Sequence, residues 1–171
     1  MRGMPVWLKN LQSSVRFGEH LLRLQTNFIL GLAGAGRYDV SVVCVESESI
    51  RNLNRVYRNV DRATDVLAFP YHEDTEPGAL PPVQEEREED YNLGDVILGI
   101  SVIREECERE GVKLGHRLPV IFTHGLCHLL GYRHSTPSLT EQMYRREKAL
   151  LTAFNNSFGT HVAPLTSETN Y

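Results

Sequence analysis

The chain has 171 residues, of which 41% are hydrophobic and 23% are charged, a composition typical of one ordinary globular domain with a sizeable core. Its three cysteines are odd in number and far apart, which argues against a disulfide framework and favours a reducing compartment. The longest apolar run, residues 28–36, is too short to span a bilayer, and no secretory signal is visible. We therefore expect neither a membrane protein nor a secreted one.

The net charge of −4 is distributed unevenly along the chain. Residues 73–90 hold eight acids against one base, Arg87, so this segment carries −7 and the rest of the chain carries +3. The segment also contains Pro77-Gly78 and Pro81-Pro82. This composition predicts a long, solvated, mobile surface loop inside a mildly basic domain.

The first third of the chain predicts two strands and two helices. We expect a strand at 6–11, an amphipathic helix at 11–32, a β-branched strand buried on both faces at 38–45, and a helix at about 48–57. The first 36 residues hold one acid against four bases, a pattern compatible with mitochondrial targeting. We interpret residues 6–11 instead as the first strand of the fold.

The middle of the chain predicts two short strands followed by helices. Residues 65–70 read as a strand stopped by proline, and 93–100 as a largely buried strand. Ser101 is expected to cap a helix that runs to about residue 110. A further helix is expected at 118–130, with Pro119 near its first turn.

A last helix is predicted from the capping-box pattern of Ser138 and Glu141. Its apolar face is expected to comprise Leu139, Met143, Leu150, Leu151 and Phe154. Little pattern follows residue 159, so we expect a poorly defined tail there. The order of elements indicates a single α/β (α+β) domain over residues 1–171, with one small mixed sheet of about four strands and about five helices.

Three histidines are the most informative feature of the sequence. The segment His124-Gly-Leu-Cys-His128-Leu-Leu-Gly131-Tyr-Arg-His134 has the spacing H-x3-H-x5-H. Histidines four residues apart lie one turn apart on the same face of a helix, so both imidazoles can reach one ion. Gly131 can then take a left-handed conformation, end the helix and return His134 toward the first two.

The histidine spacing predicts a mononuclear metal site at a helix and turn in the C-terminal half. A His-x3-His pair alone is often only two polar residues on one face, but a third histidine after a helix-ending glycine favours ligation. Three neutral nitrogens favour zinc, although nickel or iron also fits, and they leave a coordination position open, as in catalytic sites. Cys127 is interpreted as a packed thiol, and the other histidines as ordinary surface or loop residues: His20, His72, His116 and His161.

Arginines recur at helical spacing before the third predicted strand. Arg51, Arg55, Arg58 and Arg62 stand at i, i+4, i+7 and i+11, so they form one basic stripe if the helix persists. Such a stripe either binds phosphates or is a solvated helix face, and the sequence leaves both readings open. Asp95 similarly either orients a ligand imidazole or is a solvated strand-end residue.

The ligand spacing is also that of the metzincin proteases, H-E-x-x-H-x-x-G-x-x-H. Those enzymes place a glutamate directly after the first histidine, where it serves as general base, and this chain has Gly125 there. Without that carboxylate the usual proton acceptor is missing. Peptide hydrolysis by that route is therefore disfavoured.

Three segments together resemble the YbeY family of metal-dependent endoribonucleases. They are Tyr57-Arg58-x2-Asp61-x2-Thr64-Asp65-Val-Leu-Ala-Phe-Pro70, Leu93-Gly94-Asp95 and the histidine motif, and the resemblance covers roughly residues 5–155. The ending Pro164-Leu165-Thr166 is similar to that of eukaryotic, mitochondrial members. The chain departs from the common pattern at Arg133, where many bacterial members have aspartate, and at Ala68, where serine is common.

The resemblance implies a function and a set of site residues. Members act in ribosomal RNA maturation and in quality control of the small ribosomal subunit. The implied ligands of one divalent ion, zinc-like, are His124, His128 and His134, and Arg58 is the implied functional arginine. We thus expect catalytic roles for Arg58 and His124, with phosphate contacts from Arg51, Arg55, Arg58 and Arg62.

The sequence-based hypothesis is a single-strand-specific endoribonuclease acting on ribosomal RNA, in mitochondria if the chain is eukaryotic and otherwise in the cytoplasm. The proton acceptor stays open among hydroxide on the metal, Asp65 and the RNA 2′-hydroxyl. The alternative is a non-catalytic assembly factor that binds ribosomal RNA and a small-subunit ribosomal protein, with the metal holding the fold. A metallopeptidase is the third reading, and the oligomeric state is left undetermined.

Overall fold

A computed structural model describes residues 4–84 and 87–167 of the chain. The helices and strands follow one another in the order β1 (Val6–Asn10), α1 (Glu19–Leu32), β2 (Asp39–Val45), α2 (Ser47–Arg58), β3 (Val66–Pro70), β4 (Asn92–Gly99), α3 (Ile100–Glu110), α4 (Leu114–Leu129) and α5 (Pro137–Phe158). A short 3₁₀ turn, Glu88–Tyr91, precedes β4. The predicted elements are therefore all present, and the domain is α/β with one mixed sheet.

The four strands form one sheet in the order β1-β2-β4-β3. The first three of these are parallel, and β3 pairs antiparallel with β4 at one edge. Residues 6–11 therefore supply a strand of the sheet, as expected. Each parallel connection needs a crossover, and helices provide it: α1 links β1 to β2, while α2 lies between β2 and the β3–β4 hairpin.

The main core lies between one face of the sheet and helices α1, α3, α4 and α5. On the other face, α2 covers a smaller cluster of Val45, Ile50, Leu67 and Ile97. Val40, Val42 and Cys44 of β2 are fully buried, whereas Asp39, Ser41 and Val43 are only partly buried and Val45 alone of that alternating set is buried. The prediction that β2 is buried on both faces was thus partly wrong, because only part of the outer face of the sheet is covered.

The first helix begins later than the sequence predicted, at Glu19 rather than at residue 11. Side-chain hydrogen bonds hold the preceding segment in a non-helical conformation. The amide of Gln12 donates to the Val15 carbonyl and accepts from the Val15 N–H, each at 2.9 Å, and Glu46 accepts from the Ser13 N–H at 2.8 Å. Polar side chains that satisfy nearby backbone groups compete with the helix in this way.

Two predicted helix caps were wrong. Gly99, not Ser101, precedes α3, and α5 starts at Pro137, so that Ser138 lies inside the helix. The N-cap of α5 is Thr136, whose hydroxyl accepts from the Leu139 N–H at 3.3 Å. The predicted 118–130 helix likewise begins earlier, at Leu114, which leaves Pro119 inside α4.

The acidic segment is anchored beside the end of α4. The Gly78 N–H donates to the Leu130 carbonyl at 3.1 Å, and the Tyr38 hydroxyl donates to the carbonyl of Pro81, which is buried, at 2.6 Å. The segment is therefore not solvated along its whole length. Its residues 85 and 86 lie outside the described part of the chain.

Residues 159–167 form no helix or strand but pack against the core. Asn155 of α5 bonds both backbone groups of Val162, at 2.9 and 3.0 Å, and Leu165 contacts the main core. In the described ranges, no helix is both long and apolar enough to cross a bilayer.

The corrected cap of α5 is testable. Replacing Thr136 by alanine removes the acceptor for the Leu139 N–H and should lower the free energy of unfolding by about 1 kcal/mol in urea denaturation. Ser138→Ala is the matched control, with an expected change within about 0.5 kcal/mol. A larger loss from the Ser138 variant than from the Thr136 variant would restore the original capping prediction.

Candidate metal centre and phosphate cavity

Helix α4 places the first two histidines of the motif one turn apart. The ring centroids of His124 and His128 are 4.7 Å apart, and their Nε2 atoms are 3.2 Å apart. The helix lies at the centre of the domain, packed on the sheet on one side and on the other helices elsewhere. His124 is consequently buried, whereas His128 is half-buried.

A glycine turn returns the chain to bring in the third histidine. Gly131 has φ +89°, its N–H donates to the His128 carbonyl, and the Tyr132 N–H donates to the Cys127 carbonyl. This pair of bonds is the Schellman motif, which predicts glycine at the left-handed position. A Cβ on Gly131 would also lie 2.2 Å from the Thr75 carbonyl oxygen, so the acidic segment packs directly on this turn.

The turn completes a cluster of three imidazoles, as the sequence predicted. The ring of His134 lies 5.4 Å from that of His124 and 5.0 Å from that of His128. One ligand nitrogen from each of the three lies within 4.8 Å of the other two, so the cluster can hold a metal ion. Because His124 is buried and His134 exposed, the cluster opens toward solvent on the His134 side.

The hydrogen bonds of the first two rings direct their free nitrogens into the cluster. His128 Nδ1 is 3.1 Å from the Tyr132 carbonyl oxygen, which can only accept, so Nδ1 carries the proton. His124 Nδ1 is 2.8 Å from Glu147 Oε1, a carboxylate oxygen. Both Nε2 atoms are then unprotonated, and their lone pairs face each other.

That arrangement fits a bound cation. Two lone pairs at 3.2 Å repel each other unless a positive charge lies between them. Nitrogens bound tetrahedrally to zinc at ~2.0–2.1 Å are about 3.3 Å apart, close to the observed separation. The donor set and the spacing of these two rings therefore both suit a small divalent ion.

The electrostatics keep these groups in the form that binds metal. Burial lowers the pKa of His128 to about 3, and the neighbouring rings of His124 and His134 add to the lowering. Burial raises the pKa of Glu147, but the hydrogen bonds from His124 and Thr166 outweigh it and bring that pKa below its usual value. A neutral His128 and an ionised Glu147 are the states needed for ligation and for holding the Nδ1 proton.

The sequence did not reveal Glu147 or Thr166. Glu147 is fully buried on α5, between the apolar positions Met143 and Leu150 and Leu151, and a lone acid inside an apolar stripe was the available signal. Asp95, the acid considered for this position, is exposed on the sheet in register with Phe69 and Ser41. Of the two readings left open for Asp95, its exposure favours a solvated strand residue over an imidazole-orienting role.

A cavity of about 430 Å³ lies in front of the histidines. Its walls include Arg58 from the end of α2, Ala68 and Pro70 from the edge strand β3, and His128 and His134. Arg133 and Ser135 complete the lining. No carboxylate stands among these lining residues, so the charged side chain groups that face the cavity are cationic.

The other three arginines of the predicted stripe lie elsewhere. Helix α2 ends at Arg58 because Asn59 takes the left-handed conformation, so Arg62 is not on the helix and the continuous stripe was wrong. Arg51 forms a bidentate pair with Asp61 at 2.9 and 3.2 Å, and Arg55 donates to Asn52 at 2.6 Å. Phosphate contacts from Arg51, Arg55 and Arg62 stay a prediction.

Gly125, which replaces the metzincin glutamate, faces the sheet. A Cβ at this position would lie 2.8 Å from Cγ1 of Val96 and 3.5 Å from Cγ2 of Val66. The absence of a side chain allows α4 to approach β3 and β4 closely. Cys127 is fully buried, and burial raises the pKa of its thiol, in agreement with a packed rather than a ligating cysteine.

Comparison with known proteins identifies the family. The family model described as endoribonuclease YbeY matches residues 10–155. A human protein named endoribonuclease YbeY is 37% identical over 163 residues, which cover 95% of this chain and 96% of the relative. The chain belongs to the YbeY family.

Bacterial relatives and a solved structure agree with this assignment. A YbeY endoribonuclease of Acetivibrio thermocellus is 30% identical, with 89% of this chain and 98% of the relative covered. The solution structure of TM1509 from Thermotoga maritima superposes with a TM-score of 0.52 at 19% identity, covering 95% of this chain and 99% of that one. At 19% identity, the likeness to TM1509 shows the fold alone.

The two departures from the YbeY pattern both lie in the cavity. Arg133 Nη1 donates to the carbonyls of His128, at 2.9 Å, and Tyr132, at 2.8 Å, and so reinforces the turn between His128 and His134. An aspartate could not donate these bonds. Ala68 contributes a small apolar wall in place of a hydroxyl.

The close helix–sheet contact gives a prediction with an internal control. Gly125→Ala should destabilise the domain by about 1–3 kcal/mol, because the new methyl group overpacks against Val96 in the core. Gly115→Ala on the same helix meets nothing within 4 Å and should be neutral or gain up to about 1 kcal/mol from helix propensity. Thermal and urea unfolding measure both, and equal stabilities for the two variants would contradict the packing account.

Proposed function

We propose that this YbeY-family chain is a metal-dependent, single-strand-specific endoribonuclease that acts on ribosomal RNA. The observation that carries the proposal is the arrangement of three imidazoles beside a cavity whose charged side chain groups are arginines, Arg58 and Arg133. A Lewis acid and positive groups at the non-bridging oxygens both accelerate phosphodiester cleavage, and this cavity offers positions for both. Ribosomal RNA and single-strand specificity follow from the family resemblance.

His124, His128 and His134 are proposed to hold one divalent ion, and zinc suits three neutral imidazoles. When bound, the ion supplies Lewis acidity to the scissile phosphate. Arg58 binds and orients that phosphate and stabilises the negative charge that develops on it. Arg133 supplies additional positive potential while its Nη1 holds the turn.

Of the three proton acceptors considered, Asp65 is the only residue, and its contacts do not favour that role. Asp65 Oδ1 accepts from the Val66 N–H at 2.8 Å and lies 3.1 Å from the Thr64 hydroxyl. Asp65 is also absent from the cavity lining. The described residues that line the cavity therefore include no carboxylate that could act as a base in the way the metzincin glutamate does. This favours a phosphodiester substrate over a peptide.

In the assembly-factor alternative the metal stabilises the fold, and the position of the three proposed ligands argues against that role. All three come from one short segment, so an ion there links α4 only to the turn that follows it. The main core joins four helices and the sheet without the ion. In metal-dependent small domains, by contrast, the ion replaces a core that is too small.

A small-subunit ribosomal protein is the proposed protein partner, and the proposed location is mitochondrial for a eukaryotic chain and cytoplasmic otherwise. The likeness to the human relative supports a eukaryotic-type member. The exposed acids Glu73, Asp74 and Glu76 of the acidic segment would complement the charge of a basic ribosomal protein.

Substitution of Arg58 and of a ligand separates catalysis from folding. Arg58→Ala should retain metal and fold but lower kcat for cleavage of a ribosomal RNA fragment by about 10²–10³-fold. His128→Ala should lose metal and activity while keeping a cooperative thermal transition. Arg104→Ala, which removes an arginine paired with Glu108 on α3, is the charge-matched control and should cleave normally.

The measurements are metal content, thermal unfolding and cleavage rate on the same preparations. Wild-type cleavage by folded Arg58 and His128 variants would exclude this site as the nuclease centre. The assembly-factor alternative would be supported by two results together. The wild-type protein would bind RNA normally without cleaving it, and the His128 variant would unfold.

The acidic segment should repel nonspecific RNA. Neutralising Glu73, Asp74 and Glu76 to the corresponding amides keeps the backbone contacts at Gly78 and Pro81, which a deletion would remove. We expect affinity for an unrelated single-stranded RNA to rise several-fold at low salt and the difference to vanish near 1 M salt. Unchanged binding at every salt concentration would assign the segment to another role.

A further inference from the structure

A buried polar chain connects the C-terminal segment to the cluster of histidines. Glu147 Oε1 lies 2.8 Å from His124 Nδ1 and 2.6 Å from the hydroxyl of Thr166. The other carboxylate oxygen, Oε2, accepts from the Thr166 N–H at 3.1 Å. Both oxygens of a fully buried carboxylate are thereby satisfied by one ring and one residue of the tail.

The position of Thr166 is fixed by contacts of its own segment. Gly159 ends α5 in the left-handed conformation, and Asn155 bonds Thr160 and Val162, which directs the chain back along the helix. An extended chain covers ~3.3 Å per residue against ~1.5 Å for a helix, so the tail reaches the level of Glu147 within a few residues. Leu165 packs on the main core next to Thr166.

Burial of this carboxylate costs free energy unless the carboxylate helps to stabilise a bound cation. Burying a carboxylate at zero exposure carries a large desolvation penalty, and an apolar residue would fit the stripe formed by Met143, Leu150 and Leu151 better. A carboxylate that accepts from the back of a ligand imidazole fixes the ring, its tautomer and its basicity. That function explains a buried acid at this position, whereas packing does not.

We infer that Glu147 and Thr166 are positioning residues of the metal centre, and that the C-terminal segment is therefore part of the site. The inference rests on the proposed ligation by His124, His128 and His134. Glu147 holds the Nδ1 proton of His124, so that Nε2 points into the cluster. Thr166 holds Glu147 in the rotamer that accepts that proton, through one side-chain and one backbone hydrogen bond.

The test measures zinc affinity by chelator competition and the visible spectrum of the cobalt-substituted protein, with thermal unfolding of the metal-free forms. Glu147→Gln keeps the shape but loses the charge and one acceptor, and should weaken zinc binding about 10–100-fold. Glu147→Met matches the apolar stripe and should weaken zinc binding at least as much without lowering the melting temperature in proportion. Thr166→Val should weaken binding less, because its backbone N–H remains.

Conservative and distant variants distinguish positioning from general stabilisation. Thr166→Ser keeps the hydroxyl and should restore wild-type affinity and the wild-type cobalt spectrum. Glu141→Gln, on the same helix but paired with Arg145 at the surface, should leave both unchanged. In the double variant Glu147→Gln with Thr166→Val, affinity should fall no further than in Glu147→Gln alone, since both changes break the same chain.

The outcomes separate this inference from the proposed function. Wild-type zinc affinity and cobalt spectrum in the Glu147 and Thr166 variants would overturn the positioning role while leaving the metal site intact. A loss of affinity that tracks the loss of melting temperature across all variants would also overturn it. Failure of the wild-type protein itself to bind zinc or cobalt would refute the metal site on which the inference rests.

Discussion

The close approach of α4 to the sheet at Gly125 is the contact on which the rest of the site depends. With no side chain at 125, the helix backbone lies against Val96 and Val66, and the next turn of the helix is brought over the edge strand β3. His128 is then close enough to Ala68 and Pro70 to share a cavity with them. A bulkier residue at 125 would lift the helix and widen the gap between the histidines and Arg58.

The same central position of α4 creates an electrostatic requirement that the fold must satisfy. A helix packed on two sides buries His124, and a buried imidazole needs a partner for its Nδ1 proton. Glu147 provides the acceptor, but it is then a buried charge and needs donors of its own, which the tail supplies through Thr166. The polar chain is thus a consequence of burying His124 in the core, and the negative charge of Glu147 lies behind the His124 ring, on the side away from the cluster.

Local sequence was sufficient for the histidine cluster because all of its determinants lie within eleven consecutive positions, 124–134. Helical spacing fixes His124 and His128, and only a left-handed residue such as Gly131 returns the chain for His134. The order of strands and helices could also be predicted, since hydrophobic periodicity is a local property. The sheet order and the antiparallel placement of β3 depend on long-range pairing and did not follow from that pattern.

The errors have local or long-range causes that can be named. The stripe of arginines failed because one residue, Asn59, leaves the helical conformation, which i, i+4, i+7 counting does not register. Ser138 and Thr136 are both good caps, and Pro137 between them decides for Thr136 because proline suits the first helical position. Glu147 and Thr166 approach His124 across 23 and 42 positions, so only an acid out of place in an apolar stripe hinted at them.

Identical ligand spacing in YbeY proteins and metzincins need not imply the same substrate, because the reaction is decided by what faces the ion. In this chain the position of the peptidase glutamate points into the sheet and has no room for a side chain, so the carboxylate base cannot be restored by substitution alone. The lining of the cavity instead includes the arginines Arg58 and Arg133. Guanidinium matches the charge and geometry of a phosphodiester, whereas it cannot deprotonate the water that attacks a neutral peptide bond. One helix-packing contact thus removes the base, while the end of α2 and the turn after α4 supply the cations, and both features favour a phosphodiester over a peptide at the same histidine spacing.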